Sequence, residues 1–159
     1  MPMNPAPAPS SRSPRRPGTP SSSPLLGWRV LALVYDFFPV LGLWLLVAAI
    51  FVAAHHDAIT GGLLGTLEFI VLWLVTAAYS MASWRFGGQT LGMRPWRLQV
   101  VGVDGAVPSW RALLVRYAVG NLSLLLVGLG FWWAWWDRDG LTWHDRASGT
   151  RMRRLPKAE

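Results

Sequence analysis

The sequence predicts an all-α membrane protein with two antiparallel transmembrane helices, a third helical segment that spans or re-enters, and a small cytoplasmic β-hairpin. Of its 159 residues, 52% are hydrophobic, which is high for a soluble protein. Three apolar runs, at 25–54, 63–84 and 112–136, each reach the ~20 residues needed to cross a bilayer core. The polar segments between the runs differ in their number of basic residues, and this difference predicts which side of the membrane each segment faces.

Residues 1–24 have a different composition from the rest of the chain. They contain eight prolines, six serines and three arginines, and no acid. Such a segment buries too little apolar area to order itself, which predicts a disordered cytoplasmic tail. The alternative is a signal peptide, but the apolar run that follows exceeds the usual core of about 7–15 residues. A membrane domain would then occupy 25–154, with a short tail at 155–159.

The first run contains two charged residues, Arg29 and Asp36. Seven residues bring the second side chain back to within about 20° of the first, so both lie on one helix face, about 10 Å apart along the axis. A charge inside such a helix costs about 2.5–3.5 kcal/mol, so it is rarely accidental. Arg29 is either a head-group anchor or part of a site.

Asp36 is too short to reach the membrane surface from within the helix. Counted from Leu25 it lies about 16 Å deep, near the middle of a ~30 Å core. It must therefore be paired, protonated or hydrated. Arg116 in the third run is the predicted partner, and a titrating transport site is the alternative.

The loop between the first two runs contains no Lys or Arg, whereas residues 85–111 contain four arginines and one acid. The positive-inside rule predicts a cytoplasmic amino terminus, an external 55–62 loop and a cytoplasmic 85–111 segment. Glu68 lies about 8–10 Å into the second helix from outside. It either faces the outer head groups or forms a proton-accepting carboxylate pair with Asp36.

The inner segment is rich in β-forming residues at 97–103 and continues with Asp104-Gly105. Asp-Gly between apolar runs is a strong hairpin signal, which predicts a β-hairpin at about 97–108. The helical segment at 111–136 follows, interrupted at Gly128-Leu129-Gly130 and ending in tryptophans. A full span would place six basic residues outside, whereas a re-entrant turn would return them to the cytoplasm but would need surrounding protein.

The sequence contains no pattern that predicts an enzyme. It has no cysteine, and adjacent histidines in a short loop seldom converge on one metal ion, so we expect no metal and no cofactor. The glycines at 87–92 lack the Lys-Ser/Thr of a phosphate loop. The +7 net charge flanks apolar runs, which favours anionic lipid head groups over nucleic acid as partners.

His144-Asp145 near Ser148 and Thr150 is interpreted as a hydrogen-bonded cytoplasmic cap, because no nucleophile motif accompanies it. In that interpretation, the partner of Asp145 is Arg94 or Arg97.

An ordered set of motifs resembles the RDD family of small bacterial integral membrane proteins, over roughly 25–154. These motifs are an Arg and an Asp in the first helix, Gly-Gly-Gln-Thr-Leu-Gly-Met-Arg at 87–94, Asp104-Gly105, Arg111 and Arg116, and Thr-Trp-His-Asp-Arg-Ala-Ser-Gly-Thr at 142–150. The resemblance assigns the arginine and two aspartates of the family name to Arg29, Asp36 and Asp145. It implies a multi-pass protein of the bacterial cytoplasmic membrane, with a suggested but undefined transport role.

Two functions remain open at the level of sequence. The first is a small transporter, a proton-coupled cation exchanger in which Asp36, with or without Glu68, alternates between proton and cation. Three membrane segments are too few for alternating access alone, so this function needs a homo-oligomer. The second is a non-transporting protein that assembles with itself or with another membrane protein, its charges being structural.

Overall fold

A computed structural model of the protein describes residues 25–55 and 61–156. The predictions made for residues 1–24 and 56–60 therefore lie outside the described residues. The described part is mostly helical and includes one two-stranded antiparallel sheet.

Two long helices form an antiparallel hairpin. Helix α1 is Leu26–His55 and helix α2 is Gly62–Ala82, and these correspond to the two predicted transmembrane helices. Both are long and apolar enough to cross a membrane, and they pack together through a hydrogen bond from Trp44 Nε1 to Thr76 Oγ1 (2.8 Å). Helix α2 continues into a π-helical turn at Ser83–Gly87, which ends at the left-handed Gly88.

The sheet joins distant parts of the chain. Strand β1 is Leu98–Gly102 and strand β2 is Thr150–Arg154, with Val100 opposite Met152. The predicted β-hairpin at 97–108 is therefore wrong. A turn does form at Asp104-Gly105, closed by Gly102 N–H donating to Ala106 O, but residues after it start a helix. Pro108 has no N–H to donate to a ladder.

The third apolar run is bent. Helix α3, Trp110–Leu125, begins where the Ser109 side chain accepts from the amide of Ala112. A sharp turn follows, and a short helix α4, Leu129–Trp132, continues as a 3₁₀ turn at Trp133–Trp135. The axes of the two parts differ by 107°, as in a broken span or a re-entrant loop. Helix α5, Trp143–Ser148, then leads into β2, so the chain returns to the sheet that precedes α3.

The core of the protein lies around the sheet and not between the long helices. Its buried apolar residues come from the start of α1, the 93–100 segment and the start of α3: Ala32, Met93, Leu98, Val100 and Leu113. In contrast, only 6% of the most apolar window of α1 and of α2 is buried. We call the cap the unit made of β1, β2, α5 and the starts of α1 and α3 that pack on them. The rest of α1 and α2 presents apolar side chains outwards, as a lipid-facing hairpin does.

Candidate functional site

One carboxylate in the cap is held between two arginines. Arg29 Nη1 donates to Asp145 Oδ2 at 2.6 Å, and Arg116 Nη1 donates to Asp145 Oδ1 at 2.5 Å. Arg29, Arg116 and Asp145 are only 5%, 2% and 0% exposed. We call these three residues the charge cluster. It fastens α1, α3 and α5 together, and it carries one net positive charge.

The first turn of α5 positions the carboxylate of Asp145. Thr142 caps the helix: its hydroxyl accepts from the Asp145 amide, and Asp145 Oδ2 accepts from the Thr142 amide, both at 3.3 Å. This reciprocal capping box holds the Asp145 side chain independently of the two arginines. Each arginine also donates to a threonine hydroxyl, Arg29 to Thr142 (3.2 Å) and Arg116 to Thr150 (2.7 Å). The threonines of the 142–150 motif are thus part of the same network.

The charges of the cluster decide which groups are ionised. Burial alone would raise the pKa of Asp145, but Arg116 and Arg29 outweigh burial and hold that pKa far below its usual range. Burial, helped by Arg116, lowers the pKa of His144 to about 3. At neutral pH the site therefore contains an ionised Asp145 and an uncharged His144, so Asp145 is a poor proton carrier.

Two predicted pairings are wrong. Asp145 pairs with Arg29 and Arg116 and not with Arg94 or Arg97, and Arg116 consequently does not pair with Asp36. The reason is the placement of α5, which packs extensively against α3 and brings Asp145 to the buried face that carries Arg116. Arg94 is exposed. The interpretation of 142–150 as a hydrogen-bonded cap agrees with the network.

Asp36 is held by a separate set of hydrogen bonds. Its Oδ1 accepts from Tyr79 Oη and from the Gly92 amide, both at 2.9 Å, and its Oδ2 accepts from Thr90 Oγ1. The Tyr79 oxygen in turn accepts from the amide of Leu91 at 3.1 Å. Asp36 thereby ties the segment after α2 to both long helices, with neutral donors only.

The approach of this segment requires a glycine. A Cβ at Gly92 would overlap the carbonyl oxygen of Ala32 and lie 2.5 Å from the amide nitrogen of Asp36. The backbone of 90–92 therefore lies directly against α1, as close approach at glycine allows. The sequence predicted no role for the 87–94 motif in holding Asp36. The signal available was the polar Thr90 among its glycines.

Glu68 lies elsewhere. Tyr79, which bonds Asp36, is 11 positions further along α2, or about 16 Å at 1.5 Å per residue. The structure therefore separates Glu68 from Asp36, and the carboxylate pair is not formed. Within 25–55 and 61–156 no three His, Cys, Asp or Glu side chains come together as a group that could hold a metal.

A cavity of about 360 Å³ lies between α1, α2 and α3. Arg29 and Arg116 line it together with Asp36, Tyr79 and His144, while most of its wall is apolar. Asp145 and Glu68 are not among its lining residues. The cavity thus brings together three of the five candidate residues, Arg29, Asp36 and Arg116, and it contains no carboxylate pair.

An apolar helix hairpin, a bent third segment and a capped charge cluster together define a membrane-type protein with a small polar cap. A family model for the RDD family matches residues 23–149, which is most of the chain. The protein belongs to the RDD family, so the resemblance drawn from the motifs is confirmed. Neither the curated proteins nor the solved structures contain a match.

Proposed function

We propose that this RDD family protein is a multi-pass protein of the bacterial cytoplasmic membrane that assembles with a second copy or another membrane protein. In this proposal it is not an enzyme, and its charges hold its own helices together. The observation that carries it is that Asp36 and Asp145 both bond to the protein's own segments. Asp145 accepts from two arginines and one amide, and Asp36 accepts from three neutral donors.

The position of Asp36 supports a membrane boundary close to that residue. Residues 37–55 of α1 are about 19 residues, or about 28 Å, and residues 62–78 of α2 are about 26 Å. Both lengths match a hydrocarbon core of ~30 Å. We therefore place Asp36 and Tyr79 at the cytoplasmic boundary of the hydrocarbon core, with the cap on the cytoplasmic side of that boundary and the 56–60 loop outside.

The bent third segment supports assembly. In this orientation α3 enters the membrane from the cap and α4 returns, because β2 pairs with β1. The turn between them exposes Leu125 and Val127 to 81% and 87%. Irregular backbone at membrane depth is tolerated only where protein surrounds it. A second copy or another membrane protein would cover this turn.

Proton-coupled cation exchange is the second candidate. It is favoured by one observation: Asp36 lines the cavity, and no ion pair joins it to a described cation. An acid without a cationic partner retains the capacity to exchange a proton for a cation.

One experiment separates the two functions. Purified protein in sealed vesicles with an imposed pH gradient receives a monovalent cation, and the gradient is followed with a fluorescent dye. Assembly predicts no cation-dependent loss of the gradient from folded, oligomeric protein. Exchange predicts a loss that Asp36→Asn abolishes and that the matched membrane acid change Glu68→Gln leaves intact. A folded monomer in mild detergent would contradict self-assembly.

A further inference from the structure

Unused hydrogen-bond donors concentrate around one cavity. Seven buried side-chain nitrogen or oxygen atoms in the described part of the chain have no hydrogen-bond partner, and four belong to residues that line the cavity between α1, α2 and α3. They are Nε of Arg29, Nε of Arg116, Nε1 of Trp84 and Nδ1 of His144. Native proteins leave few such atoms unpaired, so this concentration points to a ligand.

The guanidinium groups of Arg29 and Arg116 make their hydrogen bonds through the same nitrogen atom. Among the described residues, each donates only through Nη1: Arg29 to Asp145 and Thr142, and Arg116 to Asp145 and Thr150. The edge formed by Nε and Nη2 makes no hydrogen bond to a described residue in either arginine. That edge has the spacing of two oxygens of a phosphate or carboxylate, which it binds in a bidentate manner.

The charge at this end of the cavity is positive. Asp145 neutralises one of the two arginines, which leaves one net positive charge in a site that is almost fully buried. Asp36 is the other charged residue that lines the cavity, about 10 Å further along α1. Its oxygens already accept three hydrogen bonds. The hydrogen-bond donors near the arginines that have no acceptor therefore form a site that suits an anion.

The remaining wall suits a hydrocarbon chain. Beyond the polar end, the lining includes Leu33, Phe37, Val40 and Leu124. An anion without an apolar part would leave these side chains without an apolar contact. An uncharged hydrocarbon would leave the hydrogen-bond donors at the polar end without an acceptor.

We propose that this cavity binds the phosphate head group of an anionic membrane phospholipid, together with the first part of an acyl chain. Arg29, Arg116 and the Trp84 N–H donate to the phosphate oxygens. The bilayer around α1 and α2 is the source of the ligand. The proposal is independent of whether the protein assembles or exchanges cations.

The test measures thermal unfolding of the full chain in a mild uncharged detergent, with dodecyl phosphate as a short single-chain probe. At about 100 times its Kd, the probe should raise Tm by about 5–10 °C. Inorganic phosphate and dodecyltrimethylammonium at the same concentration should leave Tm unchanged. Equal stabilisation by inorganic phosphate would overturn the need for a chain, and equal stabilisation by the cation would overturn the anion site.

Two variants locate the effect without removing the charge cluster. Gly120 lines the cavity one turn after Arg116, and a Cβ there meets nothing within 4 Å, so Gly120→Leu should fill the cavity and weaken probe binding at least tenfold. Gly42→Leu is the matched control, since Gly42 is an equally open helix position outside the cavity. Trp84→Phe keeps the ring beside Arg116 and removes one donor, and should weaken binding about threefold to tenfold.

Full stabilisation of Gly120→Leu by dodecyl phosphate would overturn the site in this cavity. So would a loss of binding in Gly42→Leu equal to the loss in Gly120→Leu.

Discussion

Asp36 and Asp145 have opposite surroundings. Asp145 accepts from two cationic arginines in a buried site, whereas Asp36 accepts from two hydroxyl groups and one amide. Charge-assisted hydrogen bonds are about twice as strong as neutral ones, and a buried ion loses far more when its partner is removed. Asp145 is therefore the residue on which the cap depends most.

We expect the residues of the charge cluster to differ in how much their substitution lowers the free energy of unfolding. Asp145→Asn leaves two buried like charges and should lower the free energy of unfolding by about 3–5 kcal/mol. Arg116→Met leaves a balanced Arg29–Asp145 pair and removes a bond to Thr150, so its cost should be smaller, about 1–3 kcal/mol. Denaturant unfolding in detergent measures both.

The double variant Asp145→Asn with Arg116→Met is the control for this prediction. It should be more stable than Asp145→Asn alone, because it removes one of the two unpaired charges. Equal costs for the two single changes, with no recovery in the double variant, would contradict a structural ion cluster.

At the level of elements, the pairing of β1 with β2 decides the path of the third segment. A single span after α3 would carry the carboxyl terminus to the side opposite β1, whereas the residue-by-residue pairing from Leu98↔Arg154 to Gly102↔Thr150 favours a return to the same side. Val127 has a left-handed φ of 55° at the sharp turn, and it is β-branched. Backbone strain at such a residue persists only where the surrounding structure imposes it.

Cysteine labelling tests this path directly, because the natural chain has no cysteine. Single cysteines at Val103, which directly follows β1, and at Arg151 in β2 are both exposed, and they should react with an impermeant thiol reagent only from the cytoplasmic side. A cysteine at Thr60 should react only from outside. Labelling of Val103 and Arg151 from opposite sides would contradict both the strand pairing and the re-entrant path.

At the level of the whole molecule, the cap and the hairpin are stabilised differently. The hairpin exposes a large apolar surface of the kind that faces lipid, whereas the cap has a small apolar core around Leu98 and Leu113 and a buried polar network. The cap contains His144, whose lowered pKa makes the stability of the cap depend on pH.

His144 predicts the direction of that response. Its pKa is about 3 in the folded protein against an ordinary 6.5, so between these values the unfolded chain binds a proton that the folded chain excludes. Stability is therefore complete above pH 6.5 and falls as the pH decreases, by up to about 2 kcal/mol at pH 5. Thermal unfolding between pH 7.5 and 5 measures this slope.

His144→Gln should flatten the slope, and His56→Gln, in the predicted outer loop, should keep it. The same slope in the wild-type protein and in His144→Gln would show that other groups set the pH dependence. Asp145 contributes little in this window, because its lowered pKa keeps it ionised in the folded state, and the ordinary pKa of 3.8 keeps it ionised in the unfolded state.

The sequence determined the parts of the structure that depend on local composition. Run length and hydropathy identified both long helices, because an apolar segment of this length satisfies its own backbone only as a helix. Gly128 and its neighbours indicated the break in the third run. The ordered motifs identified the family. Each of these signals lies within one short stretch of chain.

Only the tertiary structure decided the partners of the polar groups and of the strand. Arg29 bonds Asp145 across 116 positions of sequence, and β1 pairs with a strand about 50 residues away instead of the segment after Asp104-Gly105. Arg116 lies on the buried face of α3, where Asp145 is its partner. Gly92 allows the backbone to approach α1 closely enough for Thr90 to bond Asp36. Local propensity cannot predict such pairs, because the free energy of burying a charge depends on which side chains the whole fold brings within hydrogen-bonding distance.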